Sequence, residues 1–538
     1  MTASSGTPEA FPGPGDRVVH AGLGPGRVVR VERGGRWLWV AFDRSPSLPF
    51  RVRGAEVTRA EGSGAPGVAS GAEVGAVPSG GDAGSSGVGA VPSRDDAGSG
   101  EVAAVPSGGD AGSGEIGAVP ARGGGSSVAE VRDEGRHRAL AVLEALRLGT
   151  VPRGGLRAYT VGRDRDREAV LSALDPVPDA RGRLRVVVGD YGTGKTHLME
   201  CVRLEALERG WAVGTATLDS RETTPAHPRR VYASLVRSLT LPGSGAGEPG
   251  GLGALFDAVS DHPGGPPAAG GCGDHRYLGP ALHYYARLAD RPELRELLME
   301  WLEGQPGERS NERNDLLRRA VPGPRLLALP DYRTFAAPYA YLLGGIACLC
   351  RDAGSRGLCL LLDEAEFYAA LDAEHRAFAD NLFGCLALAT VGEEGARRGE
   401  EALARGGQEV HRRLPLRHRA DQPLACVFFL TPHPQGLQAL DQWVDLSRHA
   451  VELAPLRPAH YAELYERVHR VYSEAHPGFS LPGEVVQPMG EFLHAAVSTR
   501  AIENPRGVLK LLVEFLDLCR LAPHHVGAVL DDLGRLFA

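Results

Sequence analysis

One lysine in this chain stands where it could do chemistry. It is Lys195, in the run Gly189-Asp190-Tyr191-Gly192-Thr193-Gly194-Lys195-Thr196, which has the spacing G-x-x-x-x-G-K-[ST]. Glycines at these places let a loop fold with its backbone N–H groups facing an anion. The lysine is expected to reach the β- and γ-phosphates of a nucleotide. The Thr196 hydroxyl is a hard oxygen suited to Mg2+. His197, next along, is counted with the nucleotide contacts, as are Asp190, Tyr191 and Thr193 inside the loop. Composition sharpens this reading, because only two of the 59 basic residues are lysines, Lys195 and Lys510. The 72 glycines of the chain supply the competing reading, an ordinary glycine-rich turn.

A second run could share the work. Leu358-Cys359-Leu360-Leu361-Leu362 is apolar and ends in two carboxylates, Asp363 and Glu364. Asp363 is expected to hold Mg2+ through water, and Glu364 to orient and polarise an attacking water. Glu366 is a rival for that base, although its position suits the start of a helix. Arg412, Arg413, Arg417 and Arg419 form a basic stretch from which an arginine finger could reach a neighbouring subunit. The competing reading of that stretch is a solvated loop.

These residues need a scaffold to bring them together. The β-branched run LRVVV over 184–188 reads as a buried parallel strand. Helical spacing follows over 197–209, with Leu198, Met199, Val202 and Leu207 apolar and Gly210 as the stop. A strand–loop–helix unit of this kind aims the positive helix end at an anion. Further strands are expected at 211–218, 358–362, 424–430 and 450–453, with a helix at 231–239. Ligands of an open parallel sheet bind beyond the carboxyl ends of its strands, where Asp363 and Glu364 would join the glycine loop. Segment 240–275 is Gly/Pro-rich and loose, and 279–320 looks helical, so 240–330 reads as a helical insertion. The apolar stretch 335–350 is short and contains Pro338, Gly344 and Gly345, so it reads as a buried helix and not a membrane span. Helices at 463–475, 484–497 and 507–519 suggest a C-terminal lid over 456–538, after a core of 128–455 that opens with a helix at 136–148. The fold class expected is α/β, a parallel sheet of P-loop NTPase type flanked by helices.

Bulk composition sets limits. The net charge is -8, so nothing in the total demands nucleic acid. Eight cysteines are scattered without a C-x-x-C pair, which favours buried reduced thiols in a cytoplasmic protein over zinc or disulfides. No charged segment followed by an apolar run opens the chain, so no secretory signal is expected.

The N-terminal part reads differently. Residues 1–11 are a polar tail, and 12–58 hold short alternating runs at 17–20, 26–32, 37–42 and 50–53, with Gly34-Gly35 as a hairpin turn. This suggests a small closed β-barrel of SH3 or Tudor type. The pattern G-D-x-V-V-H…G-x-G-x-V resembles Tudor-like modules of bacterial RNA-polymerase-binding proteins and some helicases. That resemblance implies docking to a protein or nucleic acid; the alternative is a barrel that only stabilises the N-terminus. Over 59–127, Ala-Val-Pro recurs at Ala76, Ala90, Ala104 and Ala118 between Gly-, Ser- and Asp-rich spacers. Units with so few aliphatic side chains cannot offset ordering entropy, so a disordered tether spanning ~40–50 Å is expected.

The segments GDYGTGKTH, ERGWAVGTATLDSR, AGSRGLCLLLDEAE and ENPRGVLKLL resemble the ATP-binding proteins of bacterial BREX phage-defence systems, of the BrxD type. Those are P-loop ATPases related to AAA+ and origin-recognition-type ATPases, and the resemblance spans roughly 135–538. It implies ATP contacts at Gly189, Gly192, Gly194, Lys195 and Thr196, Mg2+ handling at Asp363 and hydrolysis through Glu364. Three further roles follow from the likeness to AAA+ proteins. Val161-Gly162-Arg163 resembles the adenine-side entry, Thr431 stands where a γ-phosphate sensor sits, and Arg506 resembles the second sensor at the start of a lid helix. Each has a plainer competitor: a turn before a helix, a strand end before Pro432, and a surface arginine. The barrel and repeat segment lie outside the family pattern.

The function expected is a Mg-dependent ATPase driving an assembly on DNA or on a DNA-bound protein complex, with homo-oligomers a further expectation and no membrane partner. A nucleotide-gated scaffold that recruits partners through the barrel is the alternative. A phosphotransferase ranks last, since no acceptor site stands out, and helicase activity is not expected without a second ATPase core.

Overall fold

The computed structural model describes residues 12–20, 24–32, 37–42, 49–53, 57–59, 128–152, 154–175, 182–244, 250–261, 272–305, 310–481, 483–498 and 504–537. The chain divides into two compact units, Met1–Gly124 and Gly125–Ala538. In the first, β1 (Arg17–His20), β2 (Gly24–Glu32), β3 (Trp37–Phe42), β4 (Pro49–Arg53) and β5 (Val57–Arg59) form one antiparallel sheet in the order β4-β3-β2-β1-β5. Alternation turns Val18, Val28, Leu38, Val40 and Val57 to one small core. Among the described residues no pairing joins β4 to β5. The tail 1–11, the Gly34-Gly35 turn and the Ala-Val-Pro repeats lie outside the described residues.

The second unit begins with α1 (Val128–Leu148), α2 (Leu156–Tyr159) and α3 (Asp164–Leu171), then β6 (Leu184–Val188), α4 (Lys195–Glu208) and β7 (Ala212–Thr217). Next come α5 (Pro228–Arg237), α6 (Gly251–Asp261), α7 (Leu278–Arg287), α8 (Pro292–Leu302), α9 (Ser310–Ala320) and α10 (Ala336–Asp352). They are followed by β8 (Leu358–Asp363), α11 (Ala373–Gly395), α12 (Glu409–Arg412) and β9 (Leu424–Leu430). Two short helices, α13 (Pro434–Asp441) and α14 (Leu446–His449), lead into β10 (Ala450–Glu452). Four more close the chain: α15 (Pro458–Ala475), α16 (Gly483–Ser498), α17 (Pro505–Leu521) and α18 (Val526–Phe537).

The strands make a five-stranded parallel sheet in the order β10-β6-β9-β8-β7. Both of its faces are covered, as the all-apolar strands require. Leu358, Leu360 and Leu362 of β8 pack on one face with Val231 of α5, Leu342 of α10 and Phe383 of α11. Cys359 and Leu361 turn to the other face, against Leu171 of α3 and Leu198 and Val202 of α4. In register, Val188 pairs with Leu430 on one side and Glu452 on the other, and Leu362 pairs with Phe428. The carboxyl ends of β6, β9 and β8 are therefore adjacent. Together with the glycine loop after β6, this is the α/β architecture of a P-loop NTPase.

The insertion expected over 240–330 carries helices α6 to α9, and these pack against the sheet. Thr240 bridges back to Val213 of the edge strand, and Leu252, Phe256, Tyr277, Leu298, Trp301 and Leu317 join the same apolar cluster as β8. Helix α1 precedes the sheet in the chain and buries Ala139, Val142, Leu143 and Leu146 among Leu464, Val468, Val508 and Leu512 of α15 and α17. Its apolar stripe is thus covered by the lid bundle. Helix α10 is buried from Ala336 to Cys350, and its two glycines admit close neighbours: a Cβ at Gly345 would lie 2.3 Å from the His275 ring. Among the described residues, no helix is long and apolar enough to cross a membrane.

Candidate functional site

The loop after β6 is shaped by its glycines. Gly192 and Gly194 have φ of 79° and 99°, a region L side chains rarely adopt. Gly189 is excluded from substitution by space instead, because a Cβ there would stand 2.8 Å from Thr193 Oγ1 and 2.9 Å from Leu453 Cβ. Thr193 ties the turn by donating its N–H and its hydroxyl to the Asp190 carbonyl, at 3.2 and 2.7 Å. Helix α4 then starts at Lys195 with no side chain capping its N-terminus, so its first N–H groups are left for an anion. This cradle fits a polyphosphate.

Lys195 is buried. Its ammonium donates to the Gly189 carbonyl at 3.1 Å and to Thr431 Oγ1 at 2.8 Å. Thr196 Oγ1 donates to Asp363 Oδ2 at 2.9 Å, joining the loop to the end of β8 across 167 residues. The Asp363 carboxylate also takes the Glu364 N–H at 3.0 Å. Burial raises the Asp363 carboxyl above the usual range, while its bonds to Thr196 and the Glu364 N–H pull it back. A hydroxyl and a carboxylate side by side are hard oxygen donors of the kind Mg2+ takes.

Glu364 is the one non-glycine residue with positive φ among those described, at 59°. That conformation costs of order 1 kcal/mol and is held where the surroundings demand it. Burial first, then the charges of Glu366 and Asp363, push its carboxyl up to about 7, and Lys195 works against them. Glu366 follows in the short 3₁₀ helix Ala365–Ala370 and accepts a hydrogen bond from Thr431 Oγ1.

The lid reaches the loop from the other side. Arg506 Nη1 donates to the Tyr191 hydroxyl at 3.3 Å, and its guanidinium lies 5.8 Å from that ring's centre. Tyr191 is 72% exposed. Asn504 caps α17 by accepting the Gly507 N–H at 2.9 Å, and its Cβ would stand 2.7 Å from a Cβ at Gly192. A cleft runs from the loop and Glu364 to an apolar end lined by Leu146, Tyr159, Val161, Leu456, Leu464 and Leu509.

Every residue singled out in the two motifs, with Thr431 and Arg506, borders this one sheet end, but not all in the expected way. Asp190 is exposed and contributes its carbonyl to the turn. His197 faces the apolar end, bonded at 2.9 Å to Thr160 Oγ1, and burial with the Arg163 charge holds it down to about 4. Arg413 pairs with Glu409 and Arg417 with the Ala420 carbonyl, ahead of β9 and at the sheet end opposite Thr431.

Sequence reading undervalued Arg163. It is 5% exposed and donates to the Thr193 carbonyl at 2.6 Å, the Ala454 carbonyl at 2.7 Å and Asp166 at 3.0 Å. One guanidinium thus pins the glycine loop to the exit of β10. The V-G-R signal marked the place without its role.

No curated protein matches the chain. Residues 135–258, from within α1 to within α6 and including the whole glycine loop, match the family model for BREX system ATP-binding protein BrxC/D, to which this part of the chain is similar.

Proposed function

We propose that the chain binds ATP and hydrolyses it with Mg2+, acting in BREX-type phage defence on DNA or on a protein complex bound to DNA. The observation that carries this reading is the 2.9 Å bond between Thr196 and Asp363, which unites the two halves of a nucleotide site. The loop N–H groups and Lys195 would bind the phosphates. The apolar end of the cleft would take the base, since Leu146, Leu464 and Leu509 offer it a dry face. Thr196 and Asp363 would hold Mg2+, which would supply neutralisation of the phosphate charge. Glu364, set at the end of β8 by a left-handed backbone turn, would accept the proton of the attacking water. Arg506 lies within one side-chain length of the loop and offers a cation from the lid. Similarity to the BrxC/D family over 135–258 supports the defence setting.

The test uses the full chain. ATP affinity and turnover are measured with duplex DNA, single strands, RNA or no addition, with molar mass taken on the same samples. Lys195→Ala should lose ATP affinity at least tenfold, and Glu364→Gln should keep affinity while turnover drops about a hundredfold. Full affinity in Lys195→Ala sinks the reading. Turnover unmoved by Glu364→Gln leaves a nucleotide-gated scaffold.

A further inference from the structure

The proton of Thr431 Oγ1 is committed. A hydroxyl has one proton to give. Here it receives the Lys195 ammonium at 2.8 Å and gives its own proton to Glu366 Oε1. The direction is fixed by the ends: an ammonium can only donate and a carboxylate accepts. The result is a chain of ammonium, hydroxyl and carboxylate that runs from the glycine loop, past the end of β9, to the turn after β8.

The placement of Glu366 is built, not incidental. β8 ends at Asp363, Glu364 turns the backbone through its left-handed conformation, and the turn Ala365–Ala370 swings Glu366 beneath the end of β9. Helix α13 closes over it, with a Cβ at Gly436 only 3.7 Å from the Glu366 Cα. The second oxygen, Glu366 Oε2, is buried with no hydrogen-bond partner. A carboxylate kept in that state for stability alone would be a poor choice, because an unsatisfied buried acceptor costs free energy.

We propose that Glu366 is a positioning residue that withholds the Thr431 proton from a terminal phosphate, and so sets how strongly the site distinguishes a nucleoside triphosphate from a diphosphate. The proposal rests on the nucleotide reading above. A phosphate oxygen is an acceptor, so it can bond Thr431 only by taking the proton now given to Glu366. A diphosphate carries no terminal group to make that exchange. Glu366 therefore weakens triphosphate binding and leaves diphosphate binding alone.

The experiment measures affinities of the full chain for ADP and for a slowly hydrolysed ATP analogue, each with Mg2+. Glu366→Ala should raise the ratio of analogue to ADP affinity about tenfold, and Glu366→Gln, of the same shape but without the charge, about threefold. Thr431→Val should lower the ratio. In the Thr431→Val background, Glu366→Ala should change nothing, since the competition has lost its object. Parallel loss of both affinities on Glu366→Ala, or an effect that survives in Thr431→Val, overturns the proposal and assigns Glu366 to the fold. Should the unaltered chain bind neither nucleotide, the nucleotide reading falls and takes this one with it. Binding with an unmoved ratio sinks this one alone.

Discussion

Arg163 shows how much a single side chain can organise here. Its guanidinium serves two backbone carbonyls and one carboxylate, and no other cation is bonded to the Thr193 carbonyl among the described residues. Arg163→Ala would leave the half-buried Thr193 carbonyl and Asp166 without this donor, at a cost of about 1–3 kcal/mol. Urea denaturation should show the loss, and ATP affinity should fall with it because the glycine loop is freed. Arg163→Lys should recover little of either, since one ammonium cannot span acceptors set by a planar fork. The motif residues themselves were legible because their chemistry is written in side-chain type and spacing: Lys195, Thr196, Asp363 and Glu364 all meet at one sheet end. Arg163 was not, because its partners are carbonyls, which carry no residue identity. The Glu366–Thr431 bond was hidden for another reason: it joins residues 65 apart whose only common property is where two strands stop.

At the scale of elements, the α7 start illustrates a pH-sensitive anchor. His275 is fully buried, accepts the N–H groups of Tyr277 and Leu278 on Nδ1 at 3.2 and 3.1 Å, and faces the Tyr341 carbonyl with Nε2 at 3.2 Å. Nδ1 is thus the acceptor and Nε2 carries the only proton. A second proton would break the α7 anchor. The Tyr341 ring stacks on the imidazole at 4.0 Å, His418 meets it edge-on, and burial holds it down to about 3. An unfolded histidine takes its proton near pH 6.5. The unfolded chain therefore binds more protons between those values, and stability is lost as pH falls through that window. From pH 6.5 to 5 this one ring removes about 2 kcal/mol. Denaturation midpoints of the full chain and of His275→Asn, followed from pH 7 to 5, should show a flatter pH dependence in the variant. The strands were legible as elements because full burial makes them uninterrupted apolar runs, as in LCLLL and VFFL. The packing of α1 on α15 and α17 was not. Periodicity reveals that a helix has a face to bury, but the partner depends on the path of the chain.

For the whole molecule, a chain begun at Gly125 should keep the ATP affinity of the full chain, measured side by side, because every residue lining the cleft lies beyond Gly125. The parallel sheet has a consequence for how the protein is born. β6 carries the glycine loop, yet its two neighbours are β9 and β10, and His449 meets the Leu184 carbonyl across 265 residues. Until translation has passed that point, the loop has no flanking strands to brace it. A ribosome stalled earlier, or a message cut short, would release a fragment carrying the whole glycine motif yet unable to grip a nucleotide. Such debris could not stand in for the finished protein.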